Sequence, residues 1–209
     1  MRQEKGGFKI EIQYLKIRQE NGTILYGGNQ GLFSKRVKKS GCGLIAALDL
    51  AVYISENLSE PIPLSEYNHK VSSAEAYFYK NSPNLFGISS KKIIRYLSEK
   101  LNGKDFLFIH KYKLSKNALS ELIRKSLSEN IPVIIRIGEN FKRLPYKIIF
   151  PNGVNHKSKM RWHYITAVGL KNETLIFYSW GGRGEMDIND LWRYFGFTGG
   201  IILPTDMYK

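Results

Sequence analysis

Cysteine is almost absent from this chain: Cys42 is the only one in 209 residues. A single thiol excludes an internal disulfide framework and any zinc site built from several cysteines. Long apolar runs are missing too, and none nears the roughly 20 residues that a membrane-crossing helix needs. The first residues, Met1 to Lys9, are polar and lack the apolar centre of a signal peptide. The expectation is a cytoplasmic chain with no transmembrane segment. Acidic side chains are scarce, 18 against 32 basic ones, which leaves a formal charge of +14. Such an excess favours nucleic acid, an anionic membrane surface or an acidic peptide. The lysines are scattered, however, and the densest run, Lys35-Arg36-Val37-Lys38-Lys39, is short. There is no zinc-finger spacing, no helix-turn-helix pattern and no aromatic RNA-binding signature. No specific nucleic-acid partner, no cofactor and no metal is expected. A basic nucleic-acid or membrane-surface binder stays as an outlying alternative, to be removed if low-salt binding to heparin or DNA is absent.

What is present is a core. The chain is 43% hydrophobic and 13% aromatic, unlike a disordered polymer. Its length suits one domain spanning 1–209. Internal repeats and low-complexity linkers are lacking. Ser40-Gly41-Cys42-Gly43 is followed at once by an apolar run predicted to be helical from Cys42 to Asn57. Leu44, Ile45, Leu48, Ala51 and Val52 share one face at helical spacing, with Asp49 and Glu56 elsewhere. Ser40 is a plausible cap. A thiol in the first turn would feel the partial positive charge of unpaired amides, which favours a thiolate. Gly41 and Gly43 would let another chain approach the sulfur. A lone cysteine at the start of a core helix is also often just a small buried hydrophobe.

Before Cys42, the alternation from Phe8 to Ile17 reads as a strand, Asn21-Gly22 as a turn and Thr23 to Tyr26 as the return. Gly27-Gly28-Asn29-Gln30-Gly31 is a loop whose amide side chain could face substrate. After the Cys42 helix, Pro61-Ile62-Pro63 breaks the chain. Ser65 to Lys80 is partly helical, with Ser72-Ser73-Ala74-Glu75 suiting a helix start, and Asn81 to Gly87 is a loop. Helices are predicted at 91–101, capped by Ser89 or Ser90, and at 116–129, capped by Ser115, with a strand at 106–112 between them. Then strands dominate, at 132–137, 146–150, 162–170, 174–180 and 200–203, with a short helix at 189–194. Helices thus crowd 27–129 and strands 130–209, which implies an α+β fold with an antiparallel sheet and a cleft between the halves.

Among four histidines, His163 opens the apolar stretch Trp162-His163-Tyr164-Ile165-Thr166-Ala167-Val168-Gly169. An imidazole at a strand end beside a cleft can take a thiol proton and return it to a leaving group. His69 and His110 have no evident partner, and His156 falls in a lysine-rich loop. The stretch Leu175-Ile176-Phe177-Tyr178-Ser179-Trp180-Gly181-Gly182 should pair with the histidine strand across Lys171-Asn172-Glu173. That pairing would bring Tyr178, Ser179 and Trp180 beside His163, with the indole shielding the ring.

Gly41-Cys42-Gly43 at a helix start, His163-Tyr164 before an apolar strand, and Ser179-Trp180-Gly181 occur here in the order found in the papain-like cysteine peptidases. The chain resembles that superfamily, and most of all the bacterial double-glycine-leader (bacteriocin-processing) peptidase type and its relatives. The resemblance implies a papain-like fold with a central cysteine-bearing helix. It also implies hydrolysis of a peptide or isopeptide bond in a peptide or protein substrate, through an acyl-enzyme. Cys42 would be the nucleophile, His163 the base and then acid, and the Cys42 amide an oxyanion donor. Two positions depart from the pattern. The family's oxyanion glutamine lies six residues before the cysteine, where this chain has Arg36; Gln30, twelve residues before, would serve if the basic segment loops out. The third catalytic position, asparagine or aspartate in the family, reads Tyr178, and a slip of one residue in the hairpin would substitute Ser179. Asp187 or Asp190 could come in from elsewhere. Related acyl transfer uses the same pair of residues, and an inactive papain-like binding module is the alternative of a different class. The basic run before Cys42 suggests acidic peptides as substrates.

Overall fold

A computed structural model describes residues 9–56, 59–80, 87–139 and 143–208. The chain opens with β1 (Lys9–Glu11), β2 (Lys16–Arg18) and β3 (Ile24–Tyr26). The predicted first strand is split, because Ile12 to Leu15 leave the sheet and bury Tyr14 and Leu15; Phe8 lies outside the described residues. Asn21-Gly22 makes the expected turn, with Gly22 at φ +81°, and β2 pairs with β3.

The basic run 35–39 is not an open loop. It forms α1 (Lys35–Ser40), capped by Ser34, whose side chain accepts from the Val37 amide. Next comes α2 (Cys42–Glu56). Ser40 does not cap it; the Ser40 hydroxyl donates to the Arg36 carbonyl at 3.1 Å and meets the Tyr79 hydroxyl at 3.1 Å. The expected single apolar face of α2 is also exceeded, since every residue from Gly43 to Val52 is buried, Asp49 included. Such a helix is a central rod rather than a surface one.

β4 (Ile62–Pro63) joins β2 in parallel, and α3 (Leu64–Tyr79) follows. Ser72 and Ser73 lie inside α3, not at its start; their hydroxyls bond back to the Asn68 and His69 carbonyls, so they do not compete with the helix. The predicted loop at 81–87 falls almost wholly outside the described residues. Ser89 caps α4 (Ser90–Lys100) and Ser115 caps α5 (Lys116–Ser128), where a hydroxyl satisfies an otherwise orphaned amide. Between them runs β5 (Phe106–His110).

The remaining elements are β6 (Val133–Ile137), β7 (Leu144–Ile149), β8 (Asn155–Met160), β9 (His163–Lys171), β10 (Thr174–Ser179), β11 (Gly182–Asp187), α6 (Ile188–Tyr194) and β12 (Gly200–Pro204). The sequence gives no sign of β8 and β11, because their polar or glycine-rich stretches lack strand composition; edge and hairpin pairing supplies what propensity does not. His156 therefore sits in a strand, exposed, and not in a loop.

All pairings in the main sheet are antiparallel, in the order β5-β12-β6-β9-β10-β11-β7-β8, with β1 against the far end of β9. β5 reaches this sheet from within the helical stretch, by pairing with β12, so helices and strands interleave more than the sequence suggests. One apolar cluster joins both layers. It includes Leu44 and Leu50 of α2, Ile93 of α4, Ile123 of α5 and Ile135 of β6, all fully buried. Each such side chain contributes about 1.5–3 kcal/mol by leaving water. The chain is α+β, with the cysteine-bearing helix against the central strand β9.

Candidate active site

Gly41 separates α1 from α2. A Cβ there would lie 2.5 Å from the Val37 carbonyl oxygen, so only glycine permits so sharp a junction. A Cβ at Gly43 would stand 3.1 Å from both Ile93 and the Tyr164 ring. Both glycines thus serve internal packing rather than the approach of another chain. They set Cys42 at the first position of α2, against β9.

The thiol meets backbone N–H groups of Tyr164, Gly43 and Cys42 itself, which favour the thiolate, as does the charge of Arg136. Burial outweighs these and pushes the thiol up from its ordinary value. The helix start alone does not deliver the thiolate that the sequence suggests.

Tyr164 is the residue after His163, so the sulfur lies close to the backbone from which the imidazole projects. His163 Nε2 lies 2.7 Å from Ser179 Oγ, and the ring is stacked on Trp180 with centroids 3.9 Å apart and planes 11° from parallel. Burial holds the imidazole down to about 3. With Nε2 occupied, Nδ1 is the ring nitrogen left to take a proton. Burial thus favours the neutral form of each group, thiol and imidazole.

Why Ser179 and not Tyr178 holds the ring follows from one irregularity. β9 and β10 pair as Leu170↔Leu175 and Gly169↔Ile176, then shift to Ala167↔Phe177 and Thr166↔Tyr178. Val168 is the extra residue of a β-bulge. Because side chains alternate between faces, a shift of one exchanges them. Beyond the bulge, Phe177 and Ser179 share the face of His163, Ile165 and Ala167, while Tyr178 shares that of Tyr164 and Thr166. Tyr178 packs edge-on to Tyr14 and Tyr26 instead. Asp187 is spent capping α6 through the Asn189 amide, and neither it nor Asp190 is a partner of His163.

Trp180-Gly181 is a two-residue hairpin loop with φ of +50° and +73°. Positive φ at both positions suits the twist of a tight hairpin, but it is a costly setting for tryptophan. The strain accompanies the His163 stack. The Tyr26 amide donates to the Gly181 carbonyl at 3.0 Å, and a Cβ on Gly181 would lie 3.0 Å from the Asn29 Cβ. The glycine loop is thereby pressed against this turn.

That loop delivers Gln30. Its Nε2 donates to the Lys38 carbonyl at 3.0 Å, and the side chain lines one small cavity with Cys42, Tyr164, Ser179 and Trp180. The six residues of α1 take up the extra chain between Gln30 and Cys42. Arg36, at the spacing where the family pattern has glutamine, lies over the Tyr79 ring at 4.1 Å. A primary amide has two N–H donors; one is used on Lys38 and the other can serve an oxyanion.

Asp49 lines the same cavity, where the sequence reading does not place it. It sits two turns along α2 from Cys42, fully buried, and accepts from the Gly28 amide at 2.9 Å and from the Tyr67 hydroxyl. Burial raises its carboxyl to about 7 despite those donors. It anchors the loop that carries Gln30 to the helix that carries Cys42. A lone acid inside a ten-residue apolar run was the available signal. Among the described residues no cluster of three or more His, Cys, Asp or Glu could hold a metal ion, and no helix is long and apolar enough to cross a membrane.

No family model matches the chain, and no curated protein matches it. Among solved structures it is similar to a "putative C39-like peptidase" from Bacillus anthracis. The TM-score is 0.52, over 93% of this chain and 96% of that one, at 12% sequence identity. Likeness at that identity bears on the fold and leaves the chemistry to be argued from the site. The chain has the α+β papain-like fold.

Proposed function

We propose that this chain is a cysteine peptidase, folded as one papain-like domain over 1–209. The observation that supports this most is the Cys42 thiol at the start of α2, within electrostatic reach of the Tyr164 amide next to His163, whose ring meets Ser179 and is stacked on Trp180. As the sulfur attacks a peptide carbonyl, its proton passes to His163 Nδ1. The oxyanion is met by the Cys42 amide and the free Gln30 N–H. The imidazolium protonates the leaving amine, and water then hydrolyses the thioester with His163 again as base. Ser179 orients the ring in the role a carboxamide or carboxylate takes in relatives. Within the superfamily, the sequence resemblance is nearest to the double-glycine-leader peptidase type.

Incubation with a peptide library and mass-spectrometric detection of new termini tests the reading. Wild type should cleave, Cys42→Ala should abolish cleavage, and His163→Ala should lower it by about 10²–10⁴-fold. Gln30→Ala should cost about 10²–10³-fold in kcat, as for loss of one oxyanion donor. A second reading, an inactive binding module, is favoured by the hydroxyl at the third position, which stabilises imidazolium less than a charged acceptor would. Absence of any Cys42-dependent cleavage, with the protein folded and peptide still bound, would select it.

A further inference from the structure

Four arginines of the described structure lie against glutamates: Arg18, Arg95, Arg124 and Arg183. Arg136 does not. It is half-buried on β6, directly opposite Tyr164 in the register. Residues opposite one another on paired strands share a face, so Arg136 stands beside the Tyr164 ring, at 6.0 Å from its guanidinium carbon to the centroid. Its Nη1 lies 3.4 Å from the Ser90 hydroxyl, which in turn meets the Tyr164 hydroxyl at 3.0 Å. These are neutral partners, and among the described residues no carboxylate meets it. Tyr164 lines the Cys42 cavity, and the Arg136 charge is felt at the sulfur.

A half-desolvated guanidinium with no counter-charge is costly, and its planar fork matches a carboxylate. We infer that Arg136 is the specificity-determining residue of the cleft and binds a carboxylate of the substrate, next to the bond that Cys42 attacks. The inference rests on the peptidase reading for its biological meaning, but the carboxylate site itself does not depend on turnover. It also replaces the diffuse pull of Lys38 and Lys39, both exposed on α1, with one directional contact. The carboxylate is either an Asp or Glu side chain or the free end of a peptide.

Because Cys42 is the only thiol, two small alkylating agents report on the site without catalysis. Iodoacetate carries a carboxylate and iodoacetamide is its neutral analogue, so the ratio of their rates cancels any change in thiolate population. Arg136→Gln should lower the iodoacetate-to-iodoacetamide ratio about fivefold, the scale of one partly screened charge nearby. An unchanged ratio, or failure of both agents to reach Cys42 in the folded protein, overturns the inference. Matched peptides then identify the source. A Glu-to-Gln change that lowers kcat/KM in wild type but not in Arg136→Gln assigns a side chain; the same pattern on C-terminal amidation assigns a peptide end. Turnover without either pattern overturns the inference and leaves the peptidase reading standing. A ratio that falls in a protein cleaving no peptide ends the peptidase reading and leaves the carboxylate site.

Discussion

His163, the proposed base, has no acid behind it. Its outer nitrogen meets a serine hydroxyl, its face is covered by indole, and burial holds its pKa at about 3 while the Cys42 thiol is raised. Alkylation of Cys42 by iodoacetamide should therefore climb steadily with pH from 4 to 9, since the thiolate is not pre-formed. A plateau of high reactivity between pH 4 and 6 would show an ion pair and contradict this account. Ser179→Asp supplies a charged acceptor, roughly twice as strong as a neutral one. It should raise the imidazole pKa and bring reactivity into the mildly acidic range, whereas Ser179→Ala should slow turnover about tenfold or more by freeing the ring. Cys42, His163 and the Ser179-Trp180-Gly181 segment stand out in the sequence as candidates, because chemistry confines each proposed role to few side chains. Which of Tyr178 and Ser179 serves His163 was not legible, since one bulged residue, Val168, reverses the alternation.

At the scale of elements, the β10–β11 turn and the glycine loop hold the site together. Gly181→Ala places a side chain at φ +73° and close to Asn29, so it should destabilise by about 1–2 kcal/mol or more, read from urea unfolding. Trp180→Asn keeps a residue that tolerates the left-handed region but removes the cover over His163. Because desolvation lowers the imidazole pKa, that pKa should move back toward 6.5 in a histidine proton titration by NMR. An unmoved value would mean that the rest of the fold buries the ring unaided. Caps at Ser89 and Ser115 and the Asn21-Gly22 turn were readable because they act within a few residues. The split of the first strand, the folding of 35–40 into α1 and the recruitment of β8 and β11 depend on distant partners, which local composition does not report.

For the whole molecule, two buried groups pull stability in opposite directions with pH. Asp49 keeps its proton in the folded state up to about 7, against 3.8 ordinarily. Between those values the folded form binds the extra proton, so this group makes stability fall as pH rises from about 4 to 7 and adds no slope above. His163 does the reverse. Its folded pKa is about 3 against 6.5, so the unfolded form binds the extra proton, and stability is gained as pH rises through that range. Asp49→Asn should cancel the first effect. Stability of the variant relative to wild type should increase from pH 4 to pH 7 by about 4 kcal/mol at most, at 1.36 kcal/mol per pKa unit. Parallel stability curves for the two proteins would place the Asp49 carboxyl in ordinary solvent contact.

The sequence by itself marked Cys42 and His163 as candidates and reached the α+β class and several caps and turns, since these follow from residue chemistry and short-range periodicity. Only the tertiary structure decided that α1 brings Gln30 back to Cys42, that a bulge in β9 hands His163 to Ser179, that Asp49 ties the glycine loop to the central helix, and that Arg136 stands beside the cleft without a carboxylate. Each of these joins residues far apart in the chain, and such contacts are selected by packing and charge balance across the folded core, which no local window of sequence contains.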